Sequence, residues 1–189
     1  MSLHVILGPM FSGKTTKILE IYERCIRFNI PVMVINHSND TRYSDNMLST
    51  HNKKMIPCIF TDSLYKLNDD ERYKELLNNA TFILINEGQF FGDLYDWTLE
   101  MVEKWGKKVC VCGLDGDSNR NKFGQLLDLI PVCDKVTKLR SLCMRCKISK
   151  KAPFTLRTSN NSEQVLVGSN DCYMPVCREC YEMRGINMV

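Results

Sequence analysis

Gly8-Pro9-Met10-Phe11-Ser12-Gly13-Lys14-Thr15 is the stretch that decides how this chain is read. It has the spacing Gly-x4-Gly-Lys-[Ser/Thr]. Two glycines let backbone N–H groups curl round a polyphosphate, the lysine neutralises its charge, and the last hydroxyl reaches Mg²⁺. Leu3-His4-Val5-Ile6-Leu7, just before the loop, is an apolar run of strand length. After it, Ile18, Ile21, Tyr22 and Cys25 recur at i, i+3, i+4 and i+7, which gives a helix with one apolar face. The first turn of that helix points its N–H groups back at the loop. A glycine-rich turn beside a surface lysine is the bland alternative, and it accounts for neither flank.

A length of 189 residues bounds the chain to one substantial domain with a small appendage, too short for paired motor domains. The hydrophobic fraction of 44% and charged fraction of 25% are those of a soluble globular protein. No apolar run approaches the roughly 20 residues that span a bilayer, so no membrane partner is expected. The chain runs straight into a strand with no basic, apolar, small-residue leader, and a cytoplasmic protein is expected. A net charge of +3, well mixed along the chain, does not argue for nucleic acid as a partner.

Residues 30–35 read as a second buried strand with Pro31 at its start. The polar residues 36–54 follow and include Asp40-Thr41-Arg42-Tyr43, with Thr50 and His51 in a surface stretch. From spacing alone, Arg42 reads better as the partner of Asp40 in a solvated turn than as a phosphate ligand. Leu64, Leu67, Leu76 and Leu77 give one interrupted helix or two short ones. Residues 81–85 form a third strand ending in Asn86-Glu87-Gly88-Gln89-Phe90-Phe91. Ligands of open α/β sheets sit at the carboxyl ends of strands, so those polar residues are placed for chemistry. Leu94, Trp97, Met101, Val102 and Trp105 mark the buried face of the next helix, with Gly106 as its stop. Residues 109–114 make a fourth strand, in which Cys110 and Cys112 point to one face as small hydrophobes. Another polar turn, Asp115-Gly116-Asp117-Ser118-Asn119-Arg120, comes next. An amphipathic piece at 123–130 and an apolar segment at 132–139 complete a β/α alternation. The fold class is α/β, a mostly parallel, doubly wound sheet built around a phosphate loop.

From Leu142 the character changes. Cys143-Met144-Arg145-Cys146 and Cys177-Arg178-Glu179-Cys180 are Cys-x2-Cys knuckles thirty residues apart. Four thiolates suit a tetrahedral Zn²⁺ with no open position, so this metal folds the appendage and takes no part in turnover. Disulfides or a redox pair are the alternative, disfavoured in a reducing compartment. Lys135, Lys138, Arg140, Arg145, Lys147, Lys150, Lys151 and Arg157 form a basic run that offsets the charge of a tetrathiolate zinc centre. The excursion between the knuckles, stapled at its base, can lie over the sheet edge as a lid. The chain therefore divides at 141/142, into 1–141 and 142–189.

Together, the phosphate loop, Asp-Thr-Arg-Tyr, Glu-Gly-Gln-Phe-Phe, Leu-Asp-Gly and the two knuckles resemble, in that order, the type II thymidine kinases, small cytosolic enzymes with a zinc-binding lasso. The match spans Leu7 to Cys180. The resemblance implies transfer of the γ-phosphate of ATP to the 5′-hydroxyl of thymidine, with Mg²⁺, and leaves deoxyuridine open as a second acceptor. Glu87 corresponds to the general base. Gly8, Pro9, Met10, Phe11, Ser12, Gly13, Lys14, Thr15, Thr16, Asp40, Arg42, Asn86 and Gln89 correspond to the ATP and magnesium site, which reverses the reading of Arg42 from spacing. Met10, Phe90, Leu114, Ser118 and Phe123 line the nucleoside pocket. The lasso residues Gln164, Val165, Leu166, Val167 and Gly168 meet the thymine with backbone groups, and Tyr173 lies near their end. Apolar walls there favour a methylated base by about 1–3 kcal/mol. The family is usually tetrameric and inhibited by thymidine triphosphate.

The competing classes are a nucleic-acid-stimulated phosphate-loop ATPase, which needs a second domain, and a zinc-ribbon binding module with a vestigial loop. Two positions depart from the family. Ser118 stands where an aromatic residue is frequent, and Asn86 stands where Asp usually precedes the catalytic Glu. The missing carboxylate weakens the pull on Mg²⁺. A raised magnesium requirement with activity retained is expected, and titrating Mg²⁺ against rate for this chain and for Asn86→Asp checks it; superimposable curves would remove any role for the charge.

Overall fold

The computed structural model describes residues 1–40, 47–49, 54–146, 149–158 and 172–183. β1 (Ser2–Leu7) leads through the phosphate loop into α1 (Lys14–Arg27) and then β2 (Val32–His37). Three short strands follow, β3 (Met47–Ser49), β4 (Met55–Pro57) and β5 (Ile59–Thr61). Next come α2 (Lys66–Asp69), α3 (Glu71–Asn79) and β6 (Phe82–Ile85). A 3-10 turn at Gly88–Phe90 precedes α4 (Leu94–Leu99), which continues as a π-helical turn over Glu100–Lys104. β7 (Lys108–Gly113), a 3-10 segment at Leu126–Val132 and β8 (Lys135–Lys138) complete the first part.

Strands β5-β2-β6-β7-β1-β8 form one sheet in which every neighbouring pair is parallel. Side chains alternate between its faces. Leu3, Val5, Met33, Ile35, Ile83, Ile85, Val109 and Val111 pack with Leu77, Leu94, Trp97, Met101, Leu126 and Leu129 on one side. Ile6, Val34, Leu84, Cys110 and Cys112 pack with Ile18 and Leu19 of α1, and with Leu48 and Ile56, on the other. Both faces are therefore covered, as the near-continuous apolar strands require. Cys110 and Cys112 do share a face, and burial pushes the Cys110 thiol up to about 12.

Three local expectations shift. The second strand lies two residues later than 30–35, because Asn36 and His37 are buried and continue it. The polar region holds an antiparallel β3–β4 ribbon that periodicity did not indicate. Trp105 is 42% exposed rather than buried, because the π turn donates its N–H to the Glu100 carbonyl five residues back and rotates it off the face set by Trp97 and Met101. The interrupted helix is two helices. Asp70 turns the chain between them and caps α3 by accepting from the Arg72 N–H at 3.0 Å.

Beyond the sheet, β9 (Ser141–Leu142) pairs with β10 (Lys151–Ala152), and β11 (Phe154–Arg157) pairs with β12 (Tyr173–Val176). α5 (Arg178–Glu182) follows. These elements share their own apolar cluster of Cys143, Ala152, Val176, Cys177, Cys180 and Tyr181. The Tyr181 phenol donates to the Ser118 carbonyl at 2.7 Å. The Arg120 guanidinium sits 4.2 Å over the Tyr181 ring and donates to Glu182 at 2.8 Å. Among the described residues, no helix is long and apolar enough to cross a membrane.

Candidate active site

The phosphate loop occupies the carboxyl end of β1, and the rest of the candidate site gathers along that edge. A Cβ on Gly8 would stand 2.7 Å from the Leu139 carbonyl oxygen, so only glycine lets the loop leave the sheet there. Gly13, at φ 85°, turns the chain into α1, whose first turn carries no acidic residue to compete with an anion. The Lys14 ammonium and the Ser12 hydroxyl both donate to the Pro9 carbonyl, each at 2.8 Å, and fold the loop on itself. Thr15 and Thr16 lie in the first turn of α1.

The small C-terminal group of strands holds this loop from outside. The Met10 N–H donates to Thr155 Oγ at 3.0 Å, and Ser141 Oγ donates to the Phe11 carbonyl at 3.1 Å. Neither Thr155 nor Ser141 was indicated by the sequence. Both lie in two short antiparallel ribbons whose register only the fold defines.

Glu87 stands at the carboxyl end of β6 in the left-handed region, φ 53° and ψ 40°. For a residue with a Cβ that conformation costs on the order of 1 kcal/mol, and surrounding contacts must hold it. Gln89 Nε2 donates to Glu87 Oε2 at 2.6 Å, and Gln89 Oε1 accepts from the Leu114 N–H at 2.9 Å. Gln89, assigned to ATP and magnesium by resemblance, is thus 3% exposed with both ends of its amide engaged by protein. Between the loop and the carboxylate lies Cys112, at the end of β7. Burial pushes its thiol up, the Glu87 carboxylate pushes in the same direction and the Lys14 ammonium opposes it. One buried sulfur therefore feels both charges.

Asn86 is 2% exposed. Its Nδ2 donates to Asn36 Oδ1 at 3.0 Å, and its Oδ1 accepts from the Cys112 thiol at 3.3 Å. Asn36 in turn donates to Asp40 Oδ2 at 3.0 Å. A row of amides beneath the strand ends thus runs from Cys112 to Asp40.

On the acceptor side, Phe90 and Phe123 meet edge to face at 5.5 Å. His37 packs 4.7 Å from Phe91 and 5.5 Å from Phe90, and burial lowers its pKa against the pull of Asp62, Asp93 and Glu87. Ser118 lies on the turn gripped by Tyr181. Tyr173 opens β12, where its phenol accepts from Arg157 Nη2 at 2.7 Å. Arg42 and the strip Gln164, Val165, Leu166, Val167 and Gly168 lie outside the described residues, as do Thr50 and His51.

Cys143, Cys146, Cys177 and Cys180 come together with all four sulfurs within 4.8 Å of one another. A zinc–sulfur bond of about 2.3 Å places tetrahedral sulfurs roughly 3.8 Å apart, so the cluster fits Zn²⁺. Against burial, backbone N–H groups of Cys146, Cys177 and Arg145 pull the Cys143 thiol down, whereas burial and the neighbouring sulfurs push Cys180 up, so without a cation the four sulfurs share protons among themselves. Arg145 also donates to the Cys180 carbonyl at 2.9 Å. The rest of the basic run is less uniform than a zinc-compensating patch. Lys138 pairs with Asp115 at 2.7 Å and Lys150 with Glu179 at 2.5 Å.

A sequence model of the family described as thymidine kinase matches residues 1–181. Thymidine kinase a of Arabidopsis thaliana is 41% identical over 181 residues, 95% of this chain and 74% of its own length. A thymidine kinase of Oryza sativa subsp. japonica is 41% identical over 180 residues, 95% of this chain and 65% of its own length. The thymidine kinase of Sheeppox virus (strain KS-1) is 36% identical over 179 residues, 95% of this chain and 96% of its own length.

Two outcomes are expected from this geometry. Asn86→Asp turns a donor into an acceptor facing Asn36 Oδ1, and should destabilise the fold by about 1–3 kcal/mol in urea unfolding at neutral pH, whatever it does for the metal; an unchanged midpoint would contradict the amide row. Metal analysis should find a single zinc per chain, which Cys177→Ser loses together with thermal stability. A chelated chain with an unchanged melting temperature would contradict the cluster's structural role.

Proposed function

We propose a specific phosphoryl transfer for a chain that belongs to the thymidine kinase family. The γ-phosphate of ATP passes to the 5′-hydroxyl of thymidine, with deoxyuridine the weaker acceptor. What carries the reading is the strand order β6-β7-β1, which sets the phosphate loop after β1 and Glu87 after β6 on either side of the end of β7. The phosphate grip and a strand-end carboxylate thus flank the end of a single strand. Phosphoryl transfer asks the protein mainly for positioning and charge, and those two groups supply both.

In this mechanism Lys14 leaves the Pro9 carbonyl for the β- and γ-phosphates, while the N–H groups of the loop and of the first turn of α1 hold the remaining oxygens. Thr15 and Asp40 offer the hard oxygen donors that suit Mg²⁺, which when bound neutralises charge on the phosphates. Asn36 fixes the Asp40 carboxylate for that use. Glu87 accepts the proton of the 5′-hydroxyl. Met10, Phe90, Leu114, Ser118 and Phe123 wall the nucleoside, and the strip 164–168 with Tyr173 closes over its base. Arg42 neutralises the group in flight.

We read residues 1–141 as the nucleotide-holding unit and 142–189 as the zinc-bound lasso over the nucleoside. On the same reading the protein acts in the cytoplasm as a homotetramer, and thymidine triphosphate inhibits it by reaching both donor and acceptor sites.

The test is a nucleoside panel with ATP labelled at the γ-phosphate. Label should move to thymidine, and Glu87→Gln should lower kcat by about 10²- to 10⁴-fold. Label released to water, faster with added DNA, would replace this reading with a nucleic-acid-stimulated ATPase.

A further inference from the structure

Gln89 is a buried polar side chain, 3% exposed, in direct contact with Glu87, and its surroundings are shaped around it at more than one point. Its Oε1 accepts from the Leu114 N–H at 2.9 Å, which ties the 3-10 turn Gly88–Phe90 to the end of β7. That bond alone would make Gln89 structural glue. Glue does not explain the other end of the amide, where Nε2 donates to Glu87 Oε2 at 2.6 Å, a short charge-assisted contact.

Two glycines clear the space around this residue, one at its side-chain amide and the other at its backbone carbonyl. A Cβ on Gly113 would stand 2.3 Å from Gln89 Oε1, and a Cβ on Gly124, itself at φ 59°, would stand 2.1 Å from the Gln89 carbonyl oxygen. Gly88 has its own constraint, since a Cβ there would meet Val111 Cγ1 at 2.6 Å. The turn is therefore pressed onto β7 as closely as backbones allow. Glu87, at φ 53°, is aimed from the one residue of that turn whose backbone is strained.

We propose that Gln89 is the positioning residue for Glu87: bound to β7 through Oε1, it fixes the plane of the carboxylate through Nε2 for proton acceptance. This rests on the reading of Glu87 as general base. As the bond from the 5′-oxygen to phosphorus forms and the bond to the β-phosphate oxygen breaks, the hydroxyl proton passes to the Glu87 carboxylate and the electron pair leaves on ADP. A glutamate side chain has three torsions, and an untethered one would sample geometries in which neither oxygen meets the hydroxyl. Misplacement of a reacting group by about 1 Å costs on the order of 10²-fold in rate.

Gln89→Met is the discriminating variant. It keeps the length and the absence of charge but presents no N–H donor to Glu87, whereas Gln89→Glu would hold a proton beside the buried carboxylate and go on donating. Its kcat should fall about 10²-fold, with KM for thymidine and for ATP changed by no more than about two-fold, the pattern of a lost transition-state interaction. Gly113→Ala is a second arm, because its methyl would stand 2.3 Å from Gln89 Oε1 and 3.2 Å from the Gly88 and Gln89 backbone nitrogens. It should lower the melting temperature and, in the folded chain, reproduce the selective loss of kcat, and it decides the matter if Gln89→Met fails to fold. Unchanged kcat in a folded variant, or a loss expressed in KM, would overturn the proposal. Glu87→Gln separates the two claims. If that variant is fully active the general-base reading falls and takes Gln89 with it, whereas an inactive Glu87→Gln beside a normal Gln89→Met removes only the positioning role.

Discussion

Parallel pairing is the constraint from which the rest follows. Strands that run the same way must end on the same edge, and each return crossing must travel over a face of the sheet. Here β1 ends in the phosphate loop, β6 in Asn86 and Glu87, β7 in Gly113 and Leu114, and β2 runs on towards Asp40. Nothing in the polar residues themselves would assemble them. The two apolar clusters on either face hold the sheet, and the sheet brings segments far apart in sequence to one line.

Along that line the protein places charge above and neutral polar groups beneath. Asn36 and Asn86 bridge neighbouring strands as amides, so no buried carboxylate has to be solvated beneath Asp40 and Glu87. Cys112 contributes a protonated thiol to the same row. The second group of strands supplies what an isolated loop lacks, a wall. Thr155 and Ser141 hold the backbone of the phosphate loop, while Tyr181 and Arg120 hold the turn that follows β7. The cysteine cluster belongs to the same group of strands as both contacts, and a metal held there would brace them from outside the site.

How much of this could be read in advance depended on whether the signal was local. The phosphate loop, its strand and its helix are contiguous, and the knuckles carry their ligands within four residues, so composition and spacing sufficed. The alternation of Val109, Cys110, Val111 and Cys112 likewise fixed two faces. Glu87 was singled out by its place at a strand end and by a family resemblance, and the structure shows only the strand end. The partners of these groups were not legible. Thr155, Ser141, Asn36 and Tyr181 act through register and packing set by residues distant in sequence, and a lone Thr or Asn carries no pattern. The Trp105 reading failed for a different reason: a uniform 3.6-residue period was extended through a wider turn. For Gln89 the resemblance put the residue in the right neighbourhood, while the contacts of its amide appeared only in three dimensions.

The position of β1 between β7 and β8 bears on how the molecule comes into being. Leu7 is matched on one side by Gly113 and on the other by Lys138, both contributed by the later part of the chain. During synthesis on the ribosome, β1 emerges before either neighbour and must therefore wait for them before it can be enclosed. Such non-local closure is slow and leaves a strongly apolar strand uncovered in the interval. The nascent phosphate loop consequently acquires its native surroundings only after β7 and β8 have followed it, although it is translated before both.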